Sequence, residues 1–176
     1  KSYAAKHFGY PVFNADIEVG KLYKKDRKIF NKLKKILPKY IYSFPLKKSE
    51  ISNAILANKL NLKKIIAIIH PEIRKRMNIF LKKNVNKKIL ILDIPLLLEN
   101  KINKKTDILI FVQSKKKEIL KRLKKRKNFN LLLLKKFKDI QLSLDSKKKK
   151  SQFIIENDFT NKSLKRSIKK ILKEII

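Results

Sequence analysis

The sequence has no cysteine, only two glycines and only 14 acidic residues among 176 positions. Without cysteine, a disulfide framework, a cysteine-ligated zinc, an iron–sulfur cluster and a thiol nucleophile are excluded, and we expect a reducing, cytoplasmic compartment. The longest apolar run, 89–98, contains an aspartate and a proline. It is shorter than the roughly 18 residues that a membrane-spanning helix needs, so we expect no membrane partner.

The shortage of acids leaves a formal charge of +34, because 48 residues are lysine or arginine. Such a charge suggests a nucleic-acid partner, since neutralised phosphates release counterions. Only six of the 48 are arginine, the residue that reads base edges best, and the lysines are scattered along the chain. Lysine, isoleucine and asparagine share A/T-rich codons, so genome composition also explains the charge. A basic RNA-binding or ribosome-associated protein remains the alternative reading.

Apolar runs and turn residues predict an α/β protein. The runs 89–94, 108–112 and 153–155 are continuous rather than alternating, which is typical of strands buried on both faces, and 11–14 predicts a fourth strand. Lysine-rich segments with helical spacing lie between them, one with Ser114 as its expected N-cap, and a last helix spans 163–176. This alternation predicts parallel βαβ units with right-handed crossovers.

Residues 17–88 carry a different pattern, which predicts a helical insertion into the sheet. Helical apolar spacing is interrupted near Pro38 and Pro45, and we expect Pro71 to open a further helix. No glycine-rich or serine-rich linker divides the chain. We therefore expect one compact body.

Two acids stand where predicted strands end. Asp93 follows the run 89–92, and Asp16 follows the strand 11–14. The carboxyl ends of parallel strands form the ligand-binding edge of an open α/β sheet, so these two acids are candidates to flank one site. Asp93 also fits a structural role in the turn before Pro95, and the lone His70 fits a structural role better than a catalytic one.

Several segments, taken in order, resemble the dephospho-coenzyme A kinase family. They are Lys1-Ser2, Val12-Phe-Asn-Ala-Asp16, Ile69-His-Pro71, Asp93-Ile-Pro-Leu-Leu-Leu-Glu99, Lys121-Arg-Leu-Lys-Lys-Arg126, Gln141 and Ile154-Ile-Glu-Asn157. The resemblance covers essentially the whole chain. The segments that end at Asp16 and Glu99 are its most specific parts.

The resemblance implies a P-loop kinase that uses ATP and Mg²⁺ to phosphorylate the ribose 3′-hydroxyl of dephospho-coenzyme A, giving coenzyme A. Its parallel sheet core would comprise 1–16, 89–113 and 153–176, with a helical substrate-binding region at 17–88 and lid helices at 114–152. We expect a monomer with no specific nucleic-acid partner. Another small P-loop kinase, acting on a nucleoside or nucleotide, remains a second alternative.

The site roles come from the same resemblance. In the catalytic step, Asp16 would accept or orient the proton of the attacking hydroxyl, while Arg122 and Arg126, one helical turn apart, would face the transferring group. Nucleotide, metal and substrate contacts would come from Lys1 and Ser2 at the phosphates, Ser2 and Asp93 at Mg²⁺, Lys147 and Asn157 at the nucleotide, and His70 with Asp16 at the substrate.

The sequence departs from the family pattern at three places. Asn14 stands where the family has a first aspartate, and Phe159 stands where it has a glycine. The glycines of a phosphate loop are also absent, since the two glycines are Gly9 and Gly20. The only methionine is Met77. We therefore expect the first strand and most of the phosphate loop to precede Lys1 in the intact protein.

Overall fold

The computed structural model of the chain describes residues 8–126 and 129–176. The chain forms two compact units, Lys1–Pro95 and Leu96–Ile176, so the expectation of one compact body is wrong. Each unit combines helices with a pair of parallel strands, so the α/β prediction is confirmed. The three-region division inferred from the resemblance stays a prediction.

The first unit contains the strands β1 (Val12–Asn14) and β2 (Ile91–Asp93). They pair in parallel, and their register places Asn14 opposite Asp93. Parallel strands cannot be joined by a tight turn and need a long crossover, which here consists of helices and the loops between them. The predicted strands at 11–14 and 89–94 are therefore confirmed, the second in shortened form.

The crossover holds four helices: α1 (Ala15–Lys25), α2 (Arg27–Ile36), α3 (Lys48–Ala57) and α4 (Lys59–Lys83). The predicted breaks near Pro38 and Pro45 are confirmed. The prediction that Pro71 opens a helix is wrong, because Pro71 lies inside α4. Proline has no N–H to donate to the carbonyl of Ala67, at a cost of about 3 kcal/mol. Burial of Ile65, Ile69 and Ile73 on one face offsets this cost, since each buried side chain contributes about 1.5–3 kcal/mol.

The core of the first unit lies among these helices. Leu22, Leu33 and Ile41 are fully buried, and the Phe13 ring packs against Phe80 with 5.7 Å between centroids. A buried carboxylate, Glu50 of α3, is 1% exposed.

The carboxylate of Glu50 accepts hydrogen bonds from the loop that precedes α3. It accepts from the N–H groups of Tyr42 and Ser43 at 3.0 and 3.2 Å and from the Ser43 hydroxyl. Burial alone would raise the pKa of Glu50, but these hydrogen bonds outweigh it and lower the pKa. The carboxylate therefore joins the 42–43 segment to α3.

The second unit contains the strands β3 (Ile110–Gln113) and β4 (Phe153–Glu156), paired in parallel from Ile110 opposite Phe153. Its helices are α5 (Lys116–Lys124), α6 (Leu131–Lys138), α7 (Leu144–Lys149) and α8 (Asn161–Ile175). The Ser114 cap prediction is wrong: Lys115 occupies the N-cap position of α5, and no side chain caps this helix. The predicted C-terminal helix is confirmed.

Burial in the second unit is sparse. Among the described residues, Ile155 and Ile171 are its only fully buried apolar side chains. Ile110 and Ile154, both on strands, are 43% and 44% exposed. The expectation that all the apolar runs form strands buried on both faces is therefore wrong in this unit. Its sheet has only two described strands, and the lysine-rich helices leave part of its surface exposed. In the described part of the chain, no helix is long and apolar enough to cross a membrane.

Candidate functional site

The ends of β1 and β2 bring two polar side chains into contact. Asn14 donates from its Nδ2 to Asp93 Oδ2 at 3.1 Å, and both side chains are half-buried. The Oδ1 of Asn14 accepts from the N–H of Ile17 at 2.9 Å, so the same amide caps α1. The structure thus pairs the end of β2, which carries Asp93, with the end of β1, which precedes Asp16. That Asp16 and Asp93 flank one site stays a prediction.

Asp16 lies in the first turn of α1, two residues beyond Asn14. Its side chain is exposed and has no polar partner among residues 8–126 and 129–176. The first turn of a helix stabilises a carboxylate, because its N–H groups and dipole present positive charge. Asp16 is thus accessible and lies two residues after Asn14 in the sequence.

Ionic contacts fix α1 against α4. Arg76 of α4 contacts Glu18 at 3.2 Å and Asp26 at 3.8 Å, and it also contacts Glu72 on its own helix at 3.6 Å. Burial alone would raise the pKa of Glu18, but hydrogen bonds from Lys21 and Arg76 outweigh it and lower the pKa. Arg76 therefore helps to hold the helix that carries Asp16.

The remaining predicted residues of this part of the chain are placed differently. His70 is half-buried in the interior of α4, directly before Pro71, and not at a strand end. Lys1 and Ser2 lie outside the described residues. The assigned roles of all three stay predictions.

In the second unit, the two arginines differ in position. Arg122 lies on α5, but Arg126 follows the helix, whose C-cap is Lys125. The Arg126 N–H bonds to the Leu123 carbonyl at 3.0 Å, so the chain tightens into an i to i−3 turn instead of continuing the helix. The prediction that both arginines lie one turn apart on one helix is therefore wrong, and their roles stay untested.

The Arg122 guanidinium stacks on the ring of Phe159, with its central carbon 4.0 Å from the ring centroid. Phe159 lies in the loop between β4 and α8. Its N–H donates to Oδ1 of Asn157 at 3.0 Å. The side-chain oxygen of Asn157 thus shapes this loop. Sequence reasoning singled out Phe159 only as a departure, and no periodic signal marks its pairing with Arg122.

Lys147 of α7 forms an ion pair with Glu99 at 2.7 Å, and the two side chains are only 20% and 10% exposed. Its Nζ also lies 3.5 Å from Oε1 of Gln141. Glu99 further accepts from the N–H of Leu142 at 3.0 Å. Burial alone would raise the pKa of Glu99, but the Lys147 and Leu142 hydrogen bonds lower it. The family resemblance includes Glu99 in a motif but implies no role for it, and in the structure Glu99 is the ion-pair partner of Lys147.

The donor chemistry at the β1–β2 edge suits a hard cation. Mg²⁺ prefers oxygen ligands and is commonly held by one or two carboxylates together with phosphate oxygens and water. Asp93 supplies one such carboxylate. Within the described ranges, no group of three or more histidine, aspartate or glutamate side chains is arranged to hold a metal alone. A magnesium ion here would therefore take most of its ligands from a nucleotide and from water.

Comparison with known proteins gives a family match along most of the chain. The family model described as dephospho-CoA kinase matches residues 1–163. A dephospho-CoA kinase from Wolbachia sp. subsp. Brugia malayi is 34% identical over 61% of this chain, and one from Wolbachia pipientis is 32% identical over 65%. These two matches span 56% and 61% of the relatives' own lengths. A dephospho-CoA kinase from Rickettsia conorii is 32% identical over 95% of this chain and 85% of its own.

Two solved structures share the fold. A protein from Thermus thermophilus superimposes with a TM-score of 0.75 at 21% identity, covering 99% of this chain and 90% of that one. Dephospho-CoA kinase from Campylobacter jejuni gives a TM-score of 0.62 at 22% identity, covering 98% and 88%. The predicted P-loop kinase fold is confirmed by these likenesses. Because the family model matches nearly the whole chain, the chain belongs to the dephospho-CoA kinase family.

Proposed function

We propose that the protein transfers the γ-phosphoryl group of ATP to the ribose 3′-hydroxyl of dephospho-coenzyme A, the final step of coenzyme A synthesis, as a cytoplasmic monomer. Family membership supports this activity. The observation that carries it is the hydrogen-bonded Asn14–Asp93 pair, which stands at the carboxyl ends of two parallel strands directly before the exposed Asp16. The family match does not favour an RNA-binding protein or another nucleotide kinase.

Asp16 is the proposed base. Phosphoryl transfer is mostly positioning and charge neutralisation, so the protein needs one group to orient the attacking hydroxyl and accept its proton. The Asp16 carboxylate is exposed and has no polar partner within residues 8–126 and 129–176, so these residues leave it available for that hydrogen bond. Asn14 cannot share this role, because an amide does not accept a proton at neutral pH.

The ATP phosphates would be held by Lys1 and Ser2, and Mg²⁺ by Ser2 and Asp93. Bound Mg²⁺ supplies neutralisation of the phosphate charge. The amide of Asn14 supports this arrangement by fixing the orientation of the Asp93 carboxylate at 3.1 Å. It does so without adding a second negative charge beside it.

The other proposed contacts follow the family pattern. Arg122 and Arg126 would stabilise the charge of the transferring group, Asn157 and Lys147 would contact the nucleotide, and His70 would contact dephospho-coenzyme A. For Lys147, the ion pair with Glu99 favours a role in which its position is fixed in advance.

The test is phosphorylation of dephospho-coenzyme A by the purified full-length protein, followed by ADP release and by the mass of the product. We expect Asp16→Asn to lower kcat at least about 100-fold, the usual contribution of a general base, while ATP binding measured by calorimetry is retained. The matched control is Asp145→Asn, which alters an exposed aspartate in the first turn of α7. Normal turnover in Asp16→Asn would exclude Asp16 as the base. An inactive wild-type protein that binds ATP would refute the proposed substrate.

A further inference from the structure

Phe159 adopts a backbone conformation that large side chains rarely take. Its φ is 66°, in the left-handed region, which costs a non-glycine residue about 1–2 kcal/mol. For glycine this conformation would be unstrained. A phenylalanine that keeps this backbone therefore gives up stability that glycine would retain.

The surrounding loop maintains the strained conformation. Besides the bond from the Phe159 N–H to Asn157, the Asp158 carboxylate accepts from the Thr160 N–H at 2.8 Å and from its hydroxyl at 2.9 Å. The Thr160 hydroxyl in turn caps α8 by accepting from the Ser163 N–H at 3.3 Å. These bonds connect 157–160 to the start of α8 and restrain the backbone at Phe159.

The Phe159 ring lies beside the guanidinium of Arg122. The Arg122 guanidinium lies 4.0 Å from its centroid, whereas the other cation–ring contacts of the described chain, Arg27 on Phe44 and Lys34 on Phe30, measure 5.0 and 5.8 Å. A partly exposed contact of this kind contributes about 0.5–1 kcal/mol. None of the residues of α5 is fully buried. A single side-chain contact therefore has a large share in holding this helix.

We propose that Phe159 is a positioning residue for Arg122: its ring orders the guanidinium above the β4–α8 loop, so that this arginine is restrained before the nucleotide binds. An arginine side chain loses about 2 kcal/mol of rotamer entropy when it is fixed, and ordering it in advance removes part of that cost from the reaction. The strained backbone is thus offset by a stacking surface that glycine does not have. The effect on turnover rests on the proposed function, but the contact itself does not.

The contact can be tested without any activity. The chain contains no tryptophan, so Phe159→Trp introduces a single tryptophan at the stacking position, and its emission can be followed. In that background we expect Arg122→Met to shift the tryptophan emission to longer wavelength and to make acrylamide quenching more efficient, because the indole ring becomes more exposed to water. The control is Arg166→Met, which removes an exposed arginine from α8. Equal spectra and equal quenching for the two double variants would overturn the proposal.

The consequence for catalysis is tested by kcat and KM with ATP and dephospho-coenzyme A. We expect Phe159→Leu to lower kcat about three- to tenfold with little change in the KM for ATP, whereas Phe159→Tyr, which keeps the ring face, retains the wild-type kcat. Phe159→Gly relieves the backbone strain but removes the contact with Arg122, so it should lose kcat like Phe159→Leu. In an Arg122→Met background, Phe159→Leu should have no further effect.

Two results would contradict the positioning role. The first is a loss of kcat in Phe159→Tyr as large as that in Phe159→Leu. The second is a further loss of kcat when Phe159→Leu is added to Arg122→Met. Either result would show that Phe159 acts independently of Arg122. If the wild-type protein does not phosphorylate dephospho-coenzyme A, the proposed function fails, and the fluorescence comparison still decides whether Phe159 holds Arg122.

Discussion

The two units of the chain are stabilised in different ways. The first unit holds nearly all the fully buried apolar side chains of the described residues, and the second holds only Ile155 and Ile171. The second unit depends instead on individual polar and stacking contacts, above all Glu99 with Lys147 and Arg122 with Phe159. Regions with few buried apolar contacts open at a lower free energy than packed cores. We therefore expect the second unit, which carries the predicted lid helices, to open more readily.

The strongest test of this comparison removes core volume from the first unit. Leu33 is fully buried, so Leu33→Ala should lower the free energy of unfolding by about 2–5 kcal/mol through lost transfer energy and a residual cavity. The measurement is urea unfolding followed by circular dichroism. The control in the second unit is Leu131→Ala, at a side chain that is 62% exposed and should change stability by less than about 0.5 kcal/mol. Equal losses for the two variants would contradict the comparison.

A smaller effect is expected from the buried carboxylate of the first unit. Glu50→Gln removes a charge that accepts three hydrogen bonds and should cost about 1–3 kcal/mol. Because the pKa of Glu50 is lowered on folding, its contribution is fully present above the ordinary glutamate range and is lost as the pH falls through the lowered folded-state pKa. Unfolding measured from pH 7 to pH 3 should thus show a weaker acid destabilisation in Glu50→Gln than in the wild type. Glu118→Gln, at an exposed first-turn glutamate of α5, is the control and should change the stability at pH 7 by less than about 0.5 kcal/mol.

The smallest effect is expected at the ion pair of the second unit. Lys147→Met should lower stability by about 1 kcal/mol and speed hydrogen exchange in 141–149, since Glu99 then lies half-buried without its cation. Lys148→Met, at the exposed neighbour on α7, should leave exchange unchanged. Exchange in the first unit should not respond to either variant. Acceleration throughout both units would show that they open together.

The sequence predicts best what depends on local pattern. Apolar runs locate the four strands of the described residues, and prolines at 38 and 45 locate the breaks between helices. Pro71 misleads because the cost of one proline is local, while the apolar face that outweighs it extends over several turns of α4. The end of α5 before Arg126 depends on one backbone bond to Leu123, which periodicity does not reveal.

The candidate site divides in the same way. The acids at the strand ends were predictable, because a carboxylate beside a buried apolar run is unfavourable unless it has a partner or binds a ligand. The partners of Lys147 and Arg122 were not predictable, because Glu99 and Phe159 are 48 and 37 positions away in sequence. Such pairings arise from tertiary packing and leave no local signature in composition or spacing.

The side chain of Asn14 makes two hydrogen bonds that few other side chains could make together. Its Nδ2 donates to Asp93 while its Oδ1 caps α1, so one side chain joins strand pairing to helix initiation. Aspartate would keep the cap but would repel Asp93, serine would keep the cap with a shorter reach, and alanine would keep neither bond. Because asparagine is uncharged, it contributes no negative charge where β1 and β2 end and α1 begins. The negative charge there comes from Asp93 and Asp16.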